Sequence, residues 1–587
     1  MENDITYLGK VVRVDSGDVE IEISDKVPSS APVINGKIYK IGQIGTFVKI
    51  PIGNITIYGV VASVSNTPSK HDDNIVHERF GSRYLTVQLV GEKIGGDEFE
   101  KGVGTYPTIN DEVHLVTDDD LHSIYGDGDK ESIEIGKHSS SDNLSVFINL
   151  HKLVLRHSAI LGSTGSGKSN ATVSIIKAII NDYIGSRVIL IDPHGEYSSA
   201  FPDAQVLKIG NVTNPLYIPF WLMNFDELAF FLVGARPSDD QKPEYRQFRE
   251  RIVAEKIKNV DLKSGKVDPN YVTADSPIPF DLRKLWYEMN WEINATFTEG
   301  TEEKQSKANA EELNSGDADN LVPASFKAYS MGSIPPFKSK KQIFYSYEKK
   351  MYSRLKDSRY DFLFNPGDYA TKNSSKDLHN LLAEWIGSTN RLSIIDLSGV
   401  PFEVLDLTVG LIARVIYDSM FWGRFEDYTG KNRPILLAFE EAHSYLNRND
   451  NSNYSKNAVE RIFKEGRKFG VGALVISQRP SEISETILAQ IGTIIALRTT
   501  NSSDQAIIRN SAPDNLNSLM NLLSSLRIGE AVVVGESIKI PSRIRIKLNA
   551  PRPTSDDPEI EKVWMKKFDL KDDDYKSVAL KIRQQRI

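Results

Sequence analysis

Residues Gly162, Ser163, Thr164, Gly165, Ser166, Gly167, Lys168 and Ser169 stand between an apolar run, Ala159-Ile160-Leu161, and a stretch with helical spacing of apolar residues over 171–180. The pattern G-x-x-x-x-G-K-[ST] in that setting constrains the fold more than any other feature of the chain. A polyphosphate needs several N–H donors converging on it. Glycines let the backbone curl close enough to supply them, and a helix that starts directly afterwards aims its positive end at the anion. Strand, loop and helix therefore have to meet in an α/β layer. Lys168 is placed to reach the β- and γ-phosphates of a nucleotide, and Ser169 to hold Mg²⁺ through its hydroxyl.

Other segments extend that layer. Residues 187–191, 392–397, 435–439 and 473–476 are apolar, β-branched and without alternation, as expected of strands buried on both faces of a parallel sheet covered by helices. The first 145 residues differ: short apolar runs such as Val19-Glu20-Ile21-Glu22-Ile23 alternate in period two between turn residues, which predicts a small antiparallel barrel or sandwich. Between 225 and 385 the apolar strands give way to charged, helix-favouring sequence, and 299–319 has the composition of an exposed loop or disordered segment. The expected organisation is an N-terminal β-barrel over 1–145, an α/β core over 146–224 and 386–549, a mostly helical insertion over 225–385, and a charged tail over 550–587. Asp118, Asp119 and Asp120, with Asp127 and Asp129 beyond, lack EF-hand spacing and are read as a solvated acidic loop.

Composition narrows the function classes. The 587 residues contain no cysteine, which excludes disulfide scaffolds, thiolate metal sites and cysteine nucleophiles. No apolar run approaches the roughly 20 residues of a membrane helix, and the start, MENDITYLGK, lacks the form of a signal peptide. A cytoplasmic protein without a membrane span is expected. A formal net charge of −8 means that any contact with nucleic acid is local, in a groove or a pore.

Three further segments carry chemistry. Phe439-Glu440-Glu441-Ala442-His443 closes the strand 435–439 with adjacent acids. This fits a Walker B strand, with Glu440 on the metal side and Glu441 polarising the attacking water; alone, two acids at a strand end could equally be a solvated turn. His443 is left out of the metal site. Asp192 ends the strand after the P-loop helix, in Asp192-Pro193-His194-Gly195-Glu196-Tyr197, and in a parallel sheet shares one rim with the nucleotide; a tight turn with an incidental acid is the alternative. Gln478 follows the strand 473–476 and could sense the γ-phosphate, while Arg467 could serve as an arginine finger at a subunit boundary. A basic helix face is otherwise simply solvated.

Taken together, RHSAILGSTGSGKSN, IDPHGEY, LLAFEEAH, EGRKFGVGALVISQRPSEIS and ALRTTNSSDQ, in this order, resemble the HerA branch of the HerA/FtsK ATPases. The resemblance covers most of the chain outside the long insertion. It implies a RecA-like α/β P-loop core with an N-terminal barrel, a helical insertion and a C-terminal brace. It also implies a homo-hexameric ring that hydrolyses ATP with Mg²⁺ at subunit boundaries and moves double-stranded DNA through its pore. On matching positions, Lys168 and Ser169 become nucleotide and magnesium residues, Asp192 and Glu441 the catalytic acids, Gln478 a sensor and Arg467 the finger. Arg156 touches the phosphates, and Asn170 joins the nucleotide-binding set. Glu440 stands where an aspartate is common, and the extra methylene changes its reach. Lys464, Lys468 and Arg479 are candidates for the DNA channel. The resemblance also implies a separate partner, a nuclease of the NurA type or a sirtuin-like NAD-consuming effector. The ring would either feed that partner DNA as a motor or assemble it as a scaffold. The ABC ATPases are disfavoured because no LSGGQ-like segment lies between the P-loop and the EEAH strand.

Overall fold

The computed structural model describes residues 4–15, 17–25, 27, 33–34, 37–39, 41–66, 83–95, 98–126, 128–139, 141–330, 334–370, 375–448, 454–512, 517–554, 560–566 and 571–584. The chain divides into two units: Met1–Gln205, Thr389–Ile394 and Tyr417–Asp556 form one, Val206–Ser388, Ile395–Ile416 and Asp557–Ile587 the other.

In the first unit, period-two alternation produces a closed barrel. Its six strands, Asp18–Ile23, Tyr7–Val14, Glu112–Leu115, Phe47–Ile52, Ile55–Ser65 and Arg83–Ile94, pair antiparallel in that order, and the last pairs back to the first. Partnered positions such as Val11 with Ile21, Ile50 with Ile57 and Val61 with Val87 all point inward and are buried. Closure leaves the sheet without free edges.

The barrel ends before residue 145. Asp118, Asp119 and Asp120, expected in a solvated loop, instead form the first turn of the helix Asp118–Tyr125, where acids complement the positive helix end. Thr117 caps that helix, and the Asp120 carboxylate accepts from the Thr117 N–H and from Lys49 Nζ, each at 2.8 Å. The strands Ser132–His138 and Ser141–Asn149 then pair with each other and, through the first of them, with Ser542–Ile546 of the core sheet.

The core sheet is built on parallel strands in the order Thr493–Leu497, Ser158–Leu161, Val471–Ser477, Ile435–Phe439, Val188–Asp192. Every residue of these strands is buried, in keeping with their unbroken apolar runs. The strand before the P-loop is thus separated from the strand before Glu440 by the one that leads to Gln478. Antiparallel strands Glu530–Gly535 and Ser542–Ile546 pair with each other and extend the sheet beyond Thr493–Leu497.

The second unit is built around the helices Phe225–Val233, Pro243–Ile257, Leu282–Asn294 and Tyr345–Lys356. Glu348 is buried among them and accepts from Trp286 Nε1 and Asn290 Nδ2. Glu227 is held by a two-pronged ion pair with Arg414. The polar stretch 299–319 is exposed for most of its length but not featureless: two 3-10 turns and the strand Glu312–Asn314, paired with Ser325–Phe326, run through it. Among the described residues no helix is long and apolar enough to cross a membrane, and no group of three or more acids or histidines is arranged to hold a metal ion by itself.

Candidate active site

Parallel register brings the carboxyl ends of four strands to one rim. Leu161 pairs with Ser477 on one side and Ala496 on the other, Phe439 with Val475, and Ile191 with Phe439. The chain leaves the sheet at neighbouring points: into the P-loop after Leu161, to Glu440 after Phe439, to Gln478 after Ser477 and at Asp192 after Ile191.

The P-loop has the backbone its glycines allow. Gly165 and Gly167 have φ of +71° and +106°, in the left-handed region. A Cβ at Gly162 would meet Ser166 Oγ at 2.7 Å and Leu497 Cβ at 2.8 Å. The loop is pinned to its neighbours: the Gly162 N–H donates to Ser477 O, Ser163 N–H to Arg498 O, and Gly529 N–H to Ser166 O. Gly167, with no side-chain acceptor, is the N-cap of the helix Lys168–Asp182, so the helix meets an anion through its own N–H groups. Ser169 lies half-buried in the first turn. Lys168 is buried, with Nζ donating to the Ser163 carbonyl at 3.3 Å. Burial lowers its pKa, against the opposing pull of Glu441, Glu440 and Glu196.

Those acids differ in setting. Glu440 is 3% exposed, and its Oε2 accepts the Tyr197 hydroxyl at 2.8 Å. Burial, reinforced by Glu441 and Asp192, pushes its pKa up to about 8. Tyr197 is held well above 10 by burial and by Glu440, so its hydroxyl remains a donor. Glu441 adopts φ +48°, a conformation costing about 1–2 kcal/mol in a residue with a Cβ. Its Oε2 is buried without a hydrogen-bond partner among the described residues. His443 Nδ1 lies 3.1 Å from that oxygen, an ion pair when the imidazole is protonated, and also 3.3 Å from Ser477 Oγ. Glu441 thus combines a left-handed backbone with a buried carboxylate oxygen that has no hydrogen-bond partner among the described residues, the two features that set it apart from Glu440.

The remaining expected residues fall in four places. Gln478 is at the loop, its Oε1 accepting the Thr164 hydroxyl. Asp192 is fully buried, with Oδ1 accepting from the His194 and Gly195 N–H groups and Oδ2 from the Tyr197 N–H, so its carboxylate organises its own turn. Asn170 uses its amide on residues 547–554, a C-terminal strap, donating to Lys547 O and accepting from the Asn549 N–H. The strap runs on to the turn after Asp192, where the Thr554 N–H donates to Glu196 O.

Arg156 and Arg467 are at the other edge of the sheet. Arg156 precedes the four-residue strand Ser158–Leu161 that the P-loop follows, so roughly 13 Å of extended chain separates it from its own phosphate cradle. It lines a cavity of about 820 Å³ with Arg467, Lys431, Lys464 and Lys468, against one acid, Glu536. Each of these basic residues stands just ahead of a parallel strand, at the amino edge. Lys464 and Lys468, candidates for a DNA channel, therefore belong to the arginine cluster, while Arg479 pairs with Glu482 at 3.0 Å.

Tyr197, Glu196 and Arg498 also stand at this rim, bonding Glu440, facing Lys168 and accepting from the Ser163 N–H through its main-chain carbonyl respectively, and spacing alone did not single them out. Glu196 is half-buried, its pKa raised by burial and by Asp192. All three sit inside segments recognised from their order, but whether a turn residue faces the site depends on the turn's three-dimensional course.

The residues fit a nucleotide with Mg²⁺. The cradle is open at Gly165, where a Cβ would meet nothing within 4 Å, and carries one buried lysine; Mg²⁺ is commonly held by one or two carboxylates together with substrate phosphates. Two family models match this chain, the helicase HerA central domain over residues 133–416 and the helicase HerA-like C-terminal domain over residues 425–555. The chain is 28% identical over 488 residues to the DNA double-strand break repair helicase HerA of Pyrococcus furiosus, covering 78% of this chain and 77% of that protein. It is 27% identical over 544 residues to the protein of the same name from Saccharolobus solfataricus, covering 89% and 91%. A solved structure, VirB4 of Thermoanaerobacter pseudethanolicus, is similar with a TM-score of 0.43 at 14% identity, covering 73% of this chain and 98% of that one.

The protonated form of Glu440 gives a pH prediction. Its folded pKa of about 8 lies above the ordinary 4.5 of a glutamate carboxyl, so the stability it contributes is fully present below about 4.5 and lost as pH rises through about 8. Without nucleotide or divalent cation, Glu440→Gln should melt progressively higher than the parent protein as pH is raised from 5 to 8.5. A melting difference independent of pH would show that Glu440 carries no such proton.

Proposed function

Because the chain belongs to the HerA family, its central and C-terminal models together spanning most of the sequence, we propose that it works as a ring-forming, ATP-driven DNA translocase whose active centre is completed between copies. It is an ATP-hydrolysing enzyme with the P-loop core of that family.

The observation that carries the proposal is the placement of Arg156 and Arg467 together in a basic cavity at the amino edge, away from their own P-loop. A triphosphate in the cradle meets one lysine and several acids from its own subunit. The charge that develops on the transferred phosphoryl group calls for further cations, and an arginine supplied in cis or in trans is an established way to provide them. The two arginines of a neighbouring copy suit this role, and a closed ring of identical copies offers each cradle such a neighbour.

Within one subunit, Lys168 would bind the β- and γ-phosphates, Ser169 and Glu440 would hold Mg²⁺, and Gln478 would sense the γ-phosphate from its contact with Thr164. Mg²⁺, when bound, would neutralise phosphate charge. Glu441, its Oε2 left without a hydrogen-bond partner, would orient the attacking water and take up its proton. Duplex DNA in the pore would be held through phosphate contacts, salt-dependent and indifferent to sequence. A separate nuclease or NAD-consuming effector is the partner class we carry over from the family resemblance. The protein is expected to co-purify with the product of an adjacent gene of that class, and pull-downs that recover no such enzyme would remove this extension.

Lys168→Ala and Glu441→Ala are each expected to reduce phosphate release by about 100-fold or more. Glu441→Ala should retain ATP binding in a fluorescent-nucleotide titration, and normal turnover in that variant would refute the water-orienting role. Arg467→Ala and Arg156→Ala should lower turnover by about 10³-fold with nucleotide affinity preserved. Mixing either with Lys168→Ala should restore part of the activity, since some seams then join an intact cradle to intact arginines. Mixed rings verified by native mass spectrometry that show no recovery would place the arginines in cis.

A further inference from the structure

We propose that Tyr197 is a positioning residue for the magnesium site, aiming the Glu440 carboxylate, and that Asp192 serves the same end one step back by fixing the turn that carries Tyr197. This rests on the reading of Glu440 as the metal-side acid and deepens it.

Glu440 has one methylene more than the aspartate common at this position, and with it an additional torsion. A buried carboxylate with that freedom could turn either oxygen away from the cation. The structure removes the freedom through a bond between the turns that follow two neighbouring strands. The Tyr197 hydroxyl donates to Oε2 at 2.8 Å, and Tyr197 is 0% and Glu440 3% exposed, so solvent does not compete. Oε1 lies outside this bond. A hydroxyl bonded to a metal-side carboxylate fixes its orientation, as partners behind metal ligands generally do.

Tyr197 is in turn positioned by the chain around it. Ile191 pairs with Phe439, so Asp192 and Glu440 leave adjacent strands at the same level. Gly195, at φ +73°, turns the chain back. Asp192 holds that turn at three points, accepting from His194 and Gly195 at 3.2 and 2.8 Å and from Tyr197 at 3.1 Å. The Tyr197 ring is thereby directed across to the neighbouring strand end. A second buried tyrosine supplies an internal control: Tyr445 donates at 2.7 Å to the main-chain carbonyl of Glu440, not to its carboxylate.

The test is Mn²⁺ binding to the full-length protein with a non-hydrolysable ATP analogue, followed by electron paramagnetic resonance, alongside analogue affinity without divalent cation. Tyr197→Phe should weaken Mn²⁺ binding by about 10- to 100-fold and leave the cation-free nucleotide affinity unchanged, whereas Tyr445→Phe should leave Mn²⁺ binding at the parent value. Glu440→Gln serves as the reference. If Glu440→Gln weakens Mn²⁺ binding and Tyr197→Phe does not, the positioning role is overturned while the metal-side reading of Glu440 stands. If Glu440→Gln also binds Mn²⁺ normally, the metal-side reading fails and the Tyr197 role falls with it. Should Tyr197→Phe fail to fold, Asp192→Asn replaces it: the amide opposes an N–H₂ to N–H groups that now meet a carboxylate. It should shift Tyr197 and weaken Mn²⁺ binding in the same direction, and unchanged binding there would equally overturn the proposal.

Discussion

The main-chain pairing of parallel strands is the constraint on which the rest of the site depends. Ser158–Leu161 lies between Val471–Ser477 and Thr493–Leu497, and Ile435–Phe439 between Val471–Ser477 and Val188–Asp192. Because all five run the same way and pair nearly level, their carboxyl ends form one rim, with the phosphate loop, two glutamates, an amide and an aspartate on it. Parallel pairing is possible because each strand is apolar on both faces, and the crossovers it requires set the strands' order. A one-residue slip would turn every side chain of a strand to the opposite face and move the rim acid with it.

The same geometry separates charges of opposite sign. Around Lys168 the carboxyl rim holds Glu196, Glu440 and Glu441, close enough to oppose the effect of burial on the lysine. The amino edge gathers Arg156, Lys431, Lys464, Arg467 and Lys468 around one cavity. A parallel sheet cannot fold one edge onto the other, so within one copy these two sets stay apart. Under the proposed function this separation gives the ring its logic: each copy is complementary to the next, and hydrolysis is coupled to assembly because neither edge is sufficient alone.

Much of the site was legible in the sequence for local reasons. The P-loop announces itself because contiguous backbone and one short helix make the phosphate cradle, and the core strands do so because burial on both faces leaves an unbroken apolar run. The barrel follows from period-two alternation, although it ends earlier than the expected residue 145: the strands Ser132–His138 and Ser141–Asn149 look like those of the barrel and differ only in which partner they find. Asp118 to Asp120 look like a loop until Thr117 caps them into a helix.

Sequence alone therefore determined that this chain builds a parallel α/β core with a nucleotide cradle, since such elements rest on neighbours a few residues apart. Tertiary structure decided which partners each side chain around the cradle meets. It bonded the Asp192 carboxylate to the turn that follows it, set Tyr197 against Glu440, bonded the Asn170 amide to the chain at Lys547 and Asn549, and placed Arg156 at the edge opposite the P-loop. The reason is one of distance: these contacts join residues separated by up to several hundred positions, such as Tyr197 with Glu440 and Asn170 with Lys547, and only the stacking of strands brings such partners within hydrogen-bond reach.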